Sequence, residues 1–392
     1  MATTLVVNPG SSSRKYALFH DGKVMLEFSF EGTGTGYEVC LQKADGRQTC
    51  EPITVPDFDN AFARVKDAVS AYCTEQKVSL DVISLRLVVP GTAFAKHRFI
   101  DAVCLSEIYS YEFSAPLHIP AIIREVEACR LHFPKVTLVG VSDSAFHATL
   151  PPIARRYSLK AADAAELDLY RFGYHGLSVS SVVHRVHAVT GKDYDRLIVC
   201  HVGNGVSITA LKAGVSIETS MGYSPLSGVP MGTRASDLDP GVLLELMKKK
   251  NLRLFELSVY LHKNGGLSGL AGEGDIRHLL ERRSKMDSVA TEALDTFTYH
   301  IQKQIAAASV ATAGIDAIVF TGTAAQRSAE LRKLICSKLG YLGIEIDEDK
   351  NDLMVGKEGV INTKTSPVKV VVMKTDEMRE MAVAAELFAQ SK

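Results

Sequence analysis

The sequence predicts an α/β protein made of two similar lobes, each with a mixed sheet. Three observations support this fold class. Strands alternate with helices along most of the chain. A strand–turn–strand pattern near the start recurs about halfway along, and 392 residues is more than one ordinary domain contains. No low-complexity linker separates the halves, so we expect the lobes to share an interface and a cleft, where small ligands usually bind.

The recurring pattern is a strand, a tight polar turn, a second strand, a short hairpin turn and a third strand. In the first half the strands are 5–7, 15–19 and 24–26, with the polar turn at 8–13. In the second half they are 197–199, 207–211 and 215–217, with the turn at 201–205. Aligning Gly10 with Gly203 superposes the two, which we interpret as an internal duplication. Chance is the alternative, because strand-Gly-strand is a common pattern.

The rest of the chain supplies the alternating elements. Apolar residues at helical spacing predict helices, and short apolar runs predict buried strands. The predicted helices are 59–75, 177–189, 286–313, 325–339 and 377–389, and the predicted strands are 136–141, 317–320 and 368–373.

The composition excludes several classes of protein. Hydrophobic residues make up 46% and charged residues 23%, as in soluble globular proteins. Lys+Arg is 44 against Asp+Glu 45, so no basic excess indicates binding to nucleic acid or to an anionic membrane. The seven cysteines form no C-x-x-C pair, which favours reduced thiols in a cytosol. No signal peptide and no apolar run of about 18 residues is present, so we expect a cytoplasmic protein.

Familiar nucleotide and hydrolase motifs are absent from the sequence. There is no G-x-x-x-x-G-K-[ST], no H-E-x-x-H and no G-x-S-x-G. The run Gly32–Gly36 (GTGTG) resembles a nucleotide loop only superficially, and we interpret it as a flexible turn.

The two polar turns offer another way to bind phosphate. Residues 8–13 read NPGSSS, and residues 201–205 read HVGNG. Backbone N–H groups and hydroxyls in such a turn can surround phosphate oxygens without a helix dipole. Facing turns in two lobes would form a phosphate clamp, whereas an isolated serine-rich turn is usually only surface.

Several charged and imidazole side chains lie in apolar sequence contexts. They are Arg86, His118, Asp143, His175 and Arg234. Singly, each is explained by a buried ion pair or a hydrogen-bonded core histidine. Together they are what phosphoryl transfer needs, because the transferred group is anionic and catalysis depends on positioning, positive charge and a metal held by an acid.

With these residues the chain resembles a known family, the acetate kinases. This family belongs to the acetate/propionate/butyrate kinases of the sugar kinase–Hsp70–actin superfamily. The resemblance runs nearly end to end and is carried by the stretches NPGSSSRKYALF, SAPLHIP, SDSAFHATLPP, RFGYHGLS, CHVGNGVSITAL, ETSMGYSPLSGVPMGTRASDLDPG and TDEM. It implies a duplicated actin-like (ribonuclease H-like) two-lobe fold with mixed sheets and an interlobe cleft, and a homodimer. Residues 1–145 would form the N-terminal lobe, completed by a C-terminal helix at 378–392. Residues 146–377 would form the C-terminal lobe with the phosphoryl-donor site.

The resemblance also implies roles for individual residues. Arg86 and Arg234 would bind the carboxylate and the transferred phosphoryl group, Asp143 would orient the carboxylate or a metal-bound water, and His175 would stabilise the transition state. The residues implied for binding are Asn8 and Glu377 for Mg²⁺; Ser11, Ser13 and Lys15 for phosphate; Val88, Leu117, His118, Tyr174 and Pro225 for the acceptor; and His201, Gly203, Asn204, Gly205, Asp275, Arg277, Thr323 and Ala324 for the donor.

The implied activity is reversible in-line transfer of a phosphoryl group from ATP to the carboxylate of acetate or a similar short-chain acid. The products are acetyl phosphate and ADP, and the cofactor is Mg²⁺, with Mn²⁺ as a substitute. Partners are these small molecules alone, with no nucleic acid and no membrane.

Four segments depart from the family pattern. Residues 85–91 read LRLVVPG where the family has HRVVHGG, residues 117–120 read LHIP for LHNP, and residues 175–179 read HGLSV for HGTSH. The largest departure is on the adenine side, where GTAAQR at 322–327 replaces AGIGEN. Three alternatives therefore stay open: the same chemistry with diphosphate or another donor, a non-catalytic actin-like binder, and a sugar or glycerol kinase of the same superfamily.

Overall fold

The computed structural model describes residues 2–10, 13–33, 36–113 and 118–391. The chain divides into two compact units. The first unit holds the described residues up to Ala145 and those from Asp376 onward, and the second unit is Phe146–Thr375.

The first unit contains a mixed sheet. Its strands are β1 (Thr3–Pro9), β2 (Ser13–His20), β3 (Lys23–Thr33), β4 (Gly36–Lys43), β5 (Gln48–Ile53), β6 (Val82–Leu87), β7 (Arg98–Phe99) and β8 (Thr137–Ser142). Over the described ranges, their order across the sheet is β5-β4-β3-β2-β1-β6-β8-β7. The strands β1 to β5 form an antiparallel meander. The strands β1, β6 and β8 run parallel, and β7 closes the edge antiparallel to β8.

The second unit repeats this arrangement. Its strands are β9 (Arg196–Val202), β10 (Val206–Lys212), β11 (Val215–Thr219), β12 (Ala317–Thr321), β13 (Gly359–Val360) and β14 (Lys369–Val372). In the described part of the chain their order is β11-β10-β9-β12-β14-β13. The meander β9–β10–β11 is antiparallel, β9, β12 and β14 are parallel, and β13 pairs antiparallel with β14. Both sheets therefore follow one plan, and the predicted α/β class with duplicated mixed sheets is confirmed.

Helices cover the sheets of both units. Those of the first unit are α1 (Val55–Asp59), α2 (Ala61–Gln76), α3 (Ala102–Ser110), α4 (Ile119–His132) and α16 (Glu377–Gln390). Those of the second unit are α5 (Pro152–Arg155), α6 (Ala161–Glu166), α7 (Gly176–Thr190), α8 (Pro240–Lys250), α9 (Leu254–Lys263), α10 (Gly266–Ala271), α11 (Ile276–Ser284), α12 (Ser288–Thr312), α13 (Thr323–Arg327), α14 (Ala329–Cys336) and α15 (Glu348–Leu353). Among the described residues, no helix combines the length and the apolar character that crossing a membrane requires.

Local sequence explains how these elements pack. Phe62, Val65 and Val69 recur at helical spacing in α2, and all three are buried in the core of the first unit. The central strand β1 is buried on both faces, since Val6 on one face and Leu5 and Val7 on the other are inaccessible to solvent. It lies between β2 and β6 in the sheet, and the helices α4 and α16 pack against it. In the second unit, Asp287 caps α12 by accepting from the backbone N–H groups of residues 289 and 290.

Two predicted helices need correction. The helix expected at 325–339 is two helices, because Ser328 takes an extended conformation (φ −128°, ψ 104°) and caps α14. The helix expected from 286 begins at Ser288, after its aspartate cap. The turn expected at Gly32–Gly36 cannot be compared in full, because residues 34 and 35 lie outside the described ranges.

The prediction that all seven cysteines are reduced is also wrong. Cys40 and Cys50 form a disulfide. They are direct partners across the antiparallel pair β4–β5, with Cα atoms 4.1 Å apart, a separation close to the short end of the range for disulfides. Such proximity depends on strand register, which cysteine spacing alone does not reveal. The free cysteines are Cys73, Cys104, Cys129, Cys200 and Cys336.

Candidate active site

The first unit gathers three of the predicted site residues around the guanidinium of a fourth, Arg86. Arg86 lies on β6, and its Nη2 is 3.1 Å from Asp143 Oδ2. Its Nη1 is 3.1 Å from Glu377 Oε2 and 3.4 Å from Asn8 Oδ1. These residues converge because β1, β6 and β8 are parallel, so that their carboxyl ends meet at one edge of the sheet. Asn8 lies at the end of β1, Asp143 follows β8, and Glu377 is the first residue of α16.

This cluster carries an excess of negative charge. Burial alone disfavours a charged guanidinium, but the carboxylates of Asp143 and Glu377 more than offset it and raise the pKa of Arg86. Two carboxylates against one guanidinium leave a net charge of about −1 if all three are ionised. Within the described residues, the buried Arg86 Nε has no hydrogen-bond partner. The charge balance of the cluster therefore favours an additional cation, and Arg86 Nε is an unsatisfied donor suited to an anionic oxygen.

The other described first-unit predictions lie on β2, directly after β6 and directly before α4. Lys15 pairs in register with Asn8, and its Nζ is 3.9 Å from Glu31 Oε1. Ser13 is the first residue of β2, Val88 follows β6 and is buried, and the half-buried His118 stands just before α4. The predicted site residues Ser11 and Leu117 lie outside the described residues.

The second unit brings two predicted histidines into ring contact. The centroids of His175 and His201 are 4.2 Å apart, with the rings tilted by 32°. His175 adopts a left-handed backbone conformation (φ 59°) immediately before α7, an uncommon choice for a residue with a side chain. His175 Nδ1 is 3.0 Å from Ser207 Oγ, and His201 Nδ1 is 2.7 Å from Ser178 Oγ.

His175 and Arg234 point at the same small volume above Gly205. A Cβ placed on Gly205 would lie 3.1 Å from His175 Nε2 and 3.6 Å from Arg234 Nη1. Arg234 is half-buried, and its Nη1 donates to the Pro225 carbonyl at 3.2 Å. Among the described residues, no ion pair involves Arg234, and desolvation lowers its pKa to about 10. It is therefore still charged at neutral pH and suited to an anionic ligand.

A second small volume lies above Gly203, in the same turn between β9 and β10. A Cβ on Gly203 would be 3.7 Å from His201 Nε2 and 3.8 Å from the backbone N of Thr323. Gly205 O accepts from Gly203 N at 3.0 Å, and Asn204 O accepts from Gly232 N at 3.2 Å, which fixes the turn. The predicted donor residues 203–205 and 323 are thus brought together.

The backbone at Gly322 explains how α13 comes so close to this turn. Gly322 has φ 82°, and a Cβ there would lie 2.7 Å from the backbone of Val202. The far end of α13 is held by Arg332, whose guanidinium donates to the carbonyls of Ala325 and Gln326 and to Asn351. Thr323 and Ala324 therefore open a short helix whose two ends are anchored.

The remaining second-unit predictions have mainly structural contacts. Asp275 caps α11 by accepting from Arg277 N, and the two side chains form an ion pair at 2.6 Å. Tyr174 is buried, and its hydroxyl donates to Tyr223 O at 2.6 Å. Pro225 is buried, and its carbonyl accepts from Arg234.

Sequence reasoning missed three side chains that organise the second unit. Ser178, Ser207 and Arg332 are all inaccessible to solvent. A signal existed for each. Ser207 lies between the apolar residues Val206 and Ile208 of β10, Ser178 lies three residues beyond His175, and Arg332 shares the apolar face of its helix with Ile335.

Comparison with known proteins gives the chain its family. The model of the Acetokinase family matches residues 3–385. An acetate kinase from Leifsonia xyli subsp. xyli is 36% identical over 391 residues, covering 97% of this chain and 98% of that protein. The crystal structure of Porphyromonas gingivalis acetate kinase superposes with a TM-score of 0.83 at 32% identity, and that of a propionate kinase from Francisella tularensis with 0.88 at 31%. Both cover 99% of this chain and 100% of theirs. The resemblance inferred from the sequence is confirmed, and the chain is an enzyme of the acetokinase family.

Proposed function

We propose that this enzyme transfers a phosphoryl group from ATP to the carboxylate of acetate, or of a similar short-chain acid, and reverses the reaction. The observation that carries the proposal is the convergence of His175 Nε2 and Arg234 Nη1 on one point above Gly205, in an acetokinase-family chain. Arg234 has no carboxylate partner in the described part of the chain, and it shares one small volume with the imidazole of His175. This arrangement favours an anionic group that gains charge in the transition state.

The first-unit cluster is proposed to handle the acceptor carboxylate and a divalent cation. The unsatisfied Arg86 Nε suits a carboxylate oxygen of the acceptor. Asn8 and Glu377 offer the amide and carboxylate oxygens that Mg²⁺ prefers, and the local excess of negative charge favours a cation there. Bound Mg²⁺, or Mn²⁺ in its place, would supply charge neutralisation for the phosphate oxygens, while Asp143 keeps Arg86 oriented.

The second-unit cluster is proposed to bind the donor phosphates. The turn 203–205 and the Thr323 N–H present backbone groups beside His201, and small residues there let phosphate approach the backbone. For the first unit, we propose that Lys15 and Ser13 bind phosphate through a cation and a hydroxyl, as the family resemblance implies.

The chemistry requires positioning and charge more than proton transfer. An acceptor carboxylate is already ionised and nucleophilic at neutral pH, so the reaction needs no strong base. Its oxygen attacks the terminal phosphorus while the bond from phosphorus to the bridging oxygen breaks, giving acyl phosphate and ADP. The main cost is the approach of two anions. In the first unit Arg86 would offset the charge of the acceptor, and in the second unit Arg234 and His175 would offset that of the transferred group.

Diphosphate is the second candidate donor. On the proposed adenine side, α13 begins with Thr323, which carries a Cβ and a hydroxyl where the family pattern has glycine. Asp275 and Arg277, implied for the nucleoside, are paired with each other. These features weaken the case for an adenine pocket and leave the phosphate contacts unaffected.

The experiment is a matrix of acceptors and donors. Purified enzyme is incubated with Mg²⁺ and acetate, propionate or butyrate, each with ATP or diphosphate, and the acyl phosphate is trapped as hydroxamate. We expect product with acetate and ATP, and an Arg234→Ala variant is the matched control for contaminating kinase. Absence of product in every combination, or equal product from the variant, would contradict the proposal.

We also propose a cytoplasmic homodimer, because composition and family resemblance favour it. Light scattering on the purified protein in reducing buffer tests the assembly, and a mass of one chain would contradict it.

A further inference from the structure

The imidazoles of His175 and His201, which are in ring contact, are each hydrogen-bonded to a serine. The proposed chemistry does not by itself explain these two serines. Each ring turns its Nδ1 towards a serine hydroxyl, at 3.0 Å for His175 and Ser207 and 2.7 Å for His201 and Ser178. Each directs its Nε2 towards a glycine of the turn between β9 and β10. Both serines are completely buried, although serine is usually exposed.

The fold gives these serines fixed positions. Ser207 is on the central meander strand β10, where it pairs in register with His201. Ser178 is in the first turn of α7, three residues after His175. Neither hydroxyl can move far, because both belong to regular elements with buried side chains on either side.

The orientation of His175 matters because its two ring edges differ chemically. Both Nε2 and Cε1 lie close to the point above Gly205, at 3.1 and 3.2 Å from a Cβ placed there. Rotating the ring by 180° would exchange Nε2 with Cε1 and Nδ1 with Cδ2, so that Ser207 would face a carbon and lose its hydrogen bond. The contact between Nδ1 and Ser207 therefore favours the orientation in which Nε2 is the ring atom nearest to the point above Gly205. A hydroxyl can donate to a neutral Nδ1 or accept from a protonated one, so it holds this orientation in both states of the ring.

We propose that Ser207 and Ser178 are positioning residues, which hold His175 and His201 with Nε2 directed at the transferred phosphoryl group and at the donor phosphates. The proposal rests on the proposed function, because it assigns these serines to the same site. Ser207 acts through His175 and therefore on the transition state. Ser178 acts through His201, which faces the volume above Gly203 and the Thr323 N–H, and therefore on donor binding.

The test separates positioning from a structural role by a double-mutant cycle. Losing one hydrogen bond of ordinary strength corresponds to about a tenfold change in rate. We therefore expect Ser207→Ala to lower kcat about tenfold while KM for acetate and ATP changes less than about twofold. In a His175→Ala background, the same substitution should change kcat less than about twofold, because its target is gone. Ser178→Ala should raise KM for ATP about fivefold and leave KM for acetate unchanged.

A matched control is available on the same strand. Thr209 on β10 is buried, and its hydroxyl bonds to Thr219 Oγ1 at 3.0 Å, so Thr209→Val also removes one buried hydroxyl contact. This variant should keep kcat within about twofold of the wild type. If Ser207→Ala does not fold, Ser207→Cys fills the site with a slightly larger side chain that hydrogen-bonds only weakly, and it should still lower kcat.

The outcomes distinguish this inference from the proposed function. Wild-type enzyme that forms no acyl phosphate with any donor overturns the function. If the wild-type enzyme is active, either of two results overturns the positioning role. In one, Ser207→Ala has the same kcat as Thr209→Val; in the other, Ser207→Ala lowers kcat equally in the presence and absence of His175.

Discussion

Gly205→Ala places a methyl group at the point where His175 and Arg234 converge. The new Cβ would lie 3.1 Å from His175 Nε2 and 3.6 Å from Arg234 Nη1. These are hydrogen-bonding and ion-pairing distances for an anionic oxygen, so the methyl group takes the place where we expect an oxygen of the transferred group. Removing one such donor costs about 10²–10³ in rate. Because the methyl group blocks access to both, we expect kcat/KM to fall by about 10³ or more.

The same substitution should leave folding nearly intact. Gly205 does not have the positive φ that disfavours alanine, and its nearest new contact is a side-chain imidazole rather than backbone. Moving the ring by a few tenths of an ångström should cost about 1–2 kcal/mol, the lower part of the range for overpacking. Hydroxamate formation gives the rate, and thermal unfolding gives the stability.

Gly340→Ala is the matched control. Gly340 is also in the second unit, and a Cβ there meets no heavy atom within 4 Å. It should keep wild-type rates. The reasoning would be refuted if Gly205→Ala retained more than half of the wild-type kcat/KM, or if it lost activity only because it no longer folded.

Four further predictions follow from the same geometry. Arg86→Ala should lower turnover by about 10²–10³, and wild-type rates in this variant would remove the first-unit cluster from the site. Glu377→Ala should raise the Mg²⁺ concentration needed for half-maximal activity, and an unchanged Mg²⁺ titration would exclude it as a metal ligand. Thr323→Gly should lower KM for ATP without changing KM for acetate. If the wild type already binds ATP tightly and selectively, and the substitution does not lower KM for ATP, the loop accepts adenine as it is. Reduction of the Cys40–Cys50 disulfide should leave kcat unchanged, because β4 is four strands from β6, about 19 Å at ~4.8 Å per strand. A large change in rate on adding reductant would link the β4–β5 hairpin to the site.

The sequence was sufficient to predict the doubled strand pattern, since Gly10 and Gly203 each follow a central strand of a sheet with the same order. It was also sufficient to select Arg86 and Arg234 as unusual, because each lies among apolar neighbours. The sequence could not show that the two arginines have different environments. Arg86 is paired with acids 57 and 291 positions away, whereas Arg234 has no ion pair among the described residues.

The features that the sequence did not predict depend on contacts that form only in the folded chain. The break of the helix at Ser328 depends on a capping hydrogen bond that competes with helix continuation. The Cys40–Cys50 disulfide depends on the register of two strands. The serines behind His175 and His201 depend on where a strand and a helix meet, which periodicity in one element does not contain.

The most direct test of the central claim is a stoichiometric measurement of phosphoryl transfer. Wild-type enzyme, Mg²⁺, acetate and ATP are followed by ³¹P NMR, with Arg234→Ala as the comparison. The account predicts one acetyl phosphate for each ADP formed, dependent on acetate, and a rate about 10²–10³ lower in the variant. ADP released with inorganic phosphate and without acetyl phosphate, or equal rates in the two proteins, would contradict it.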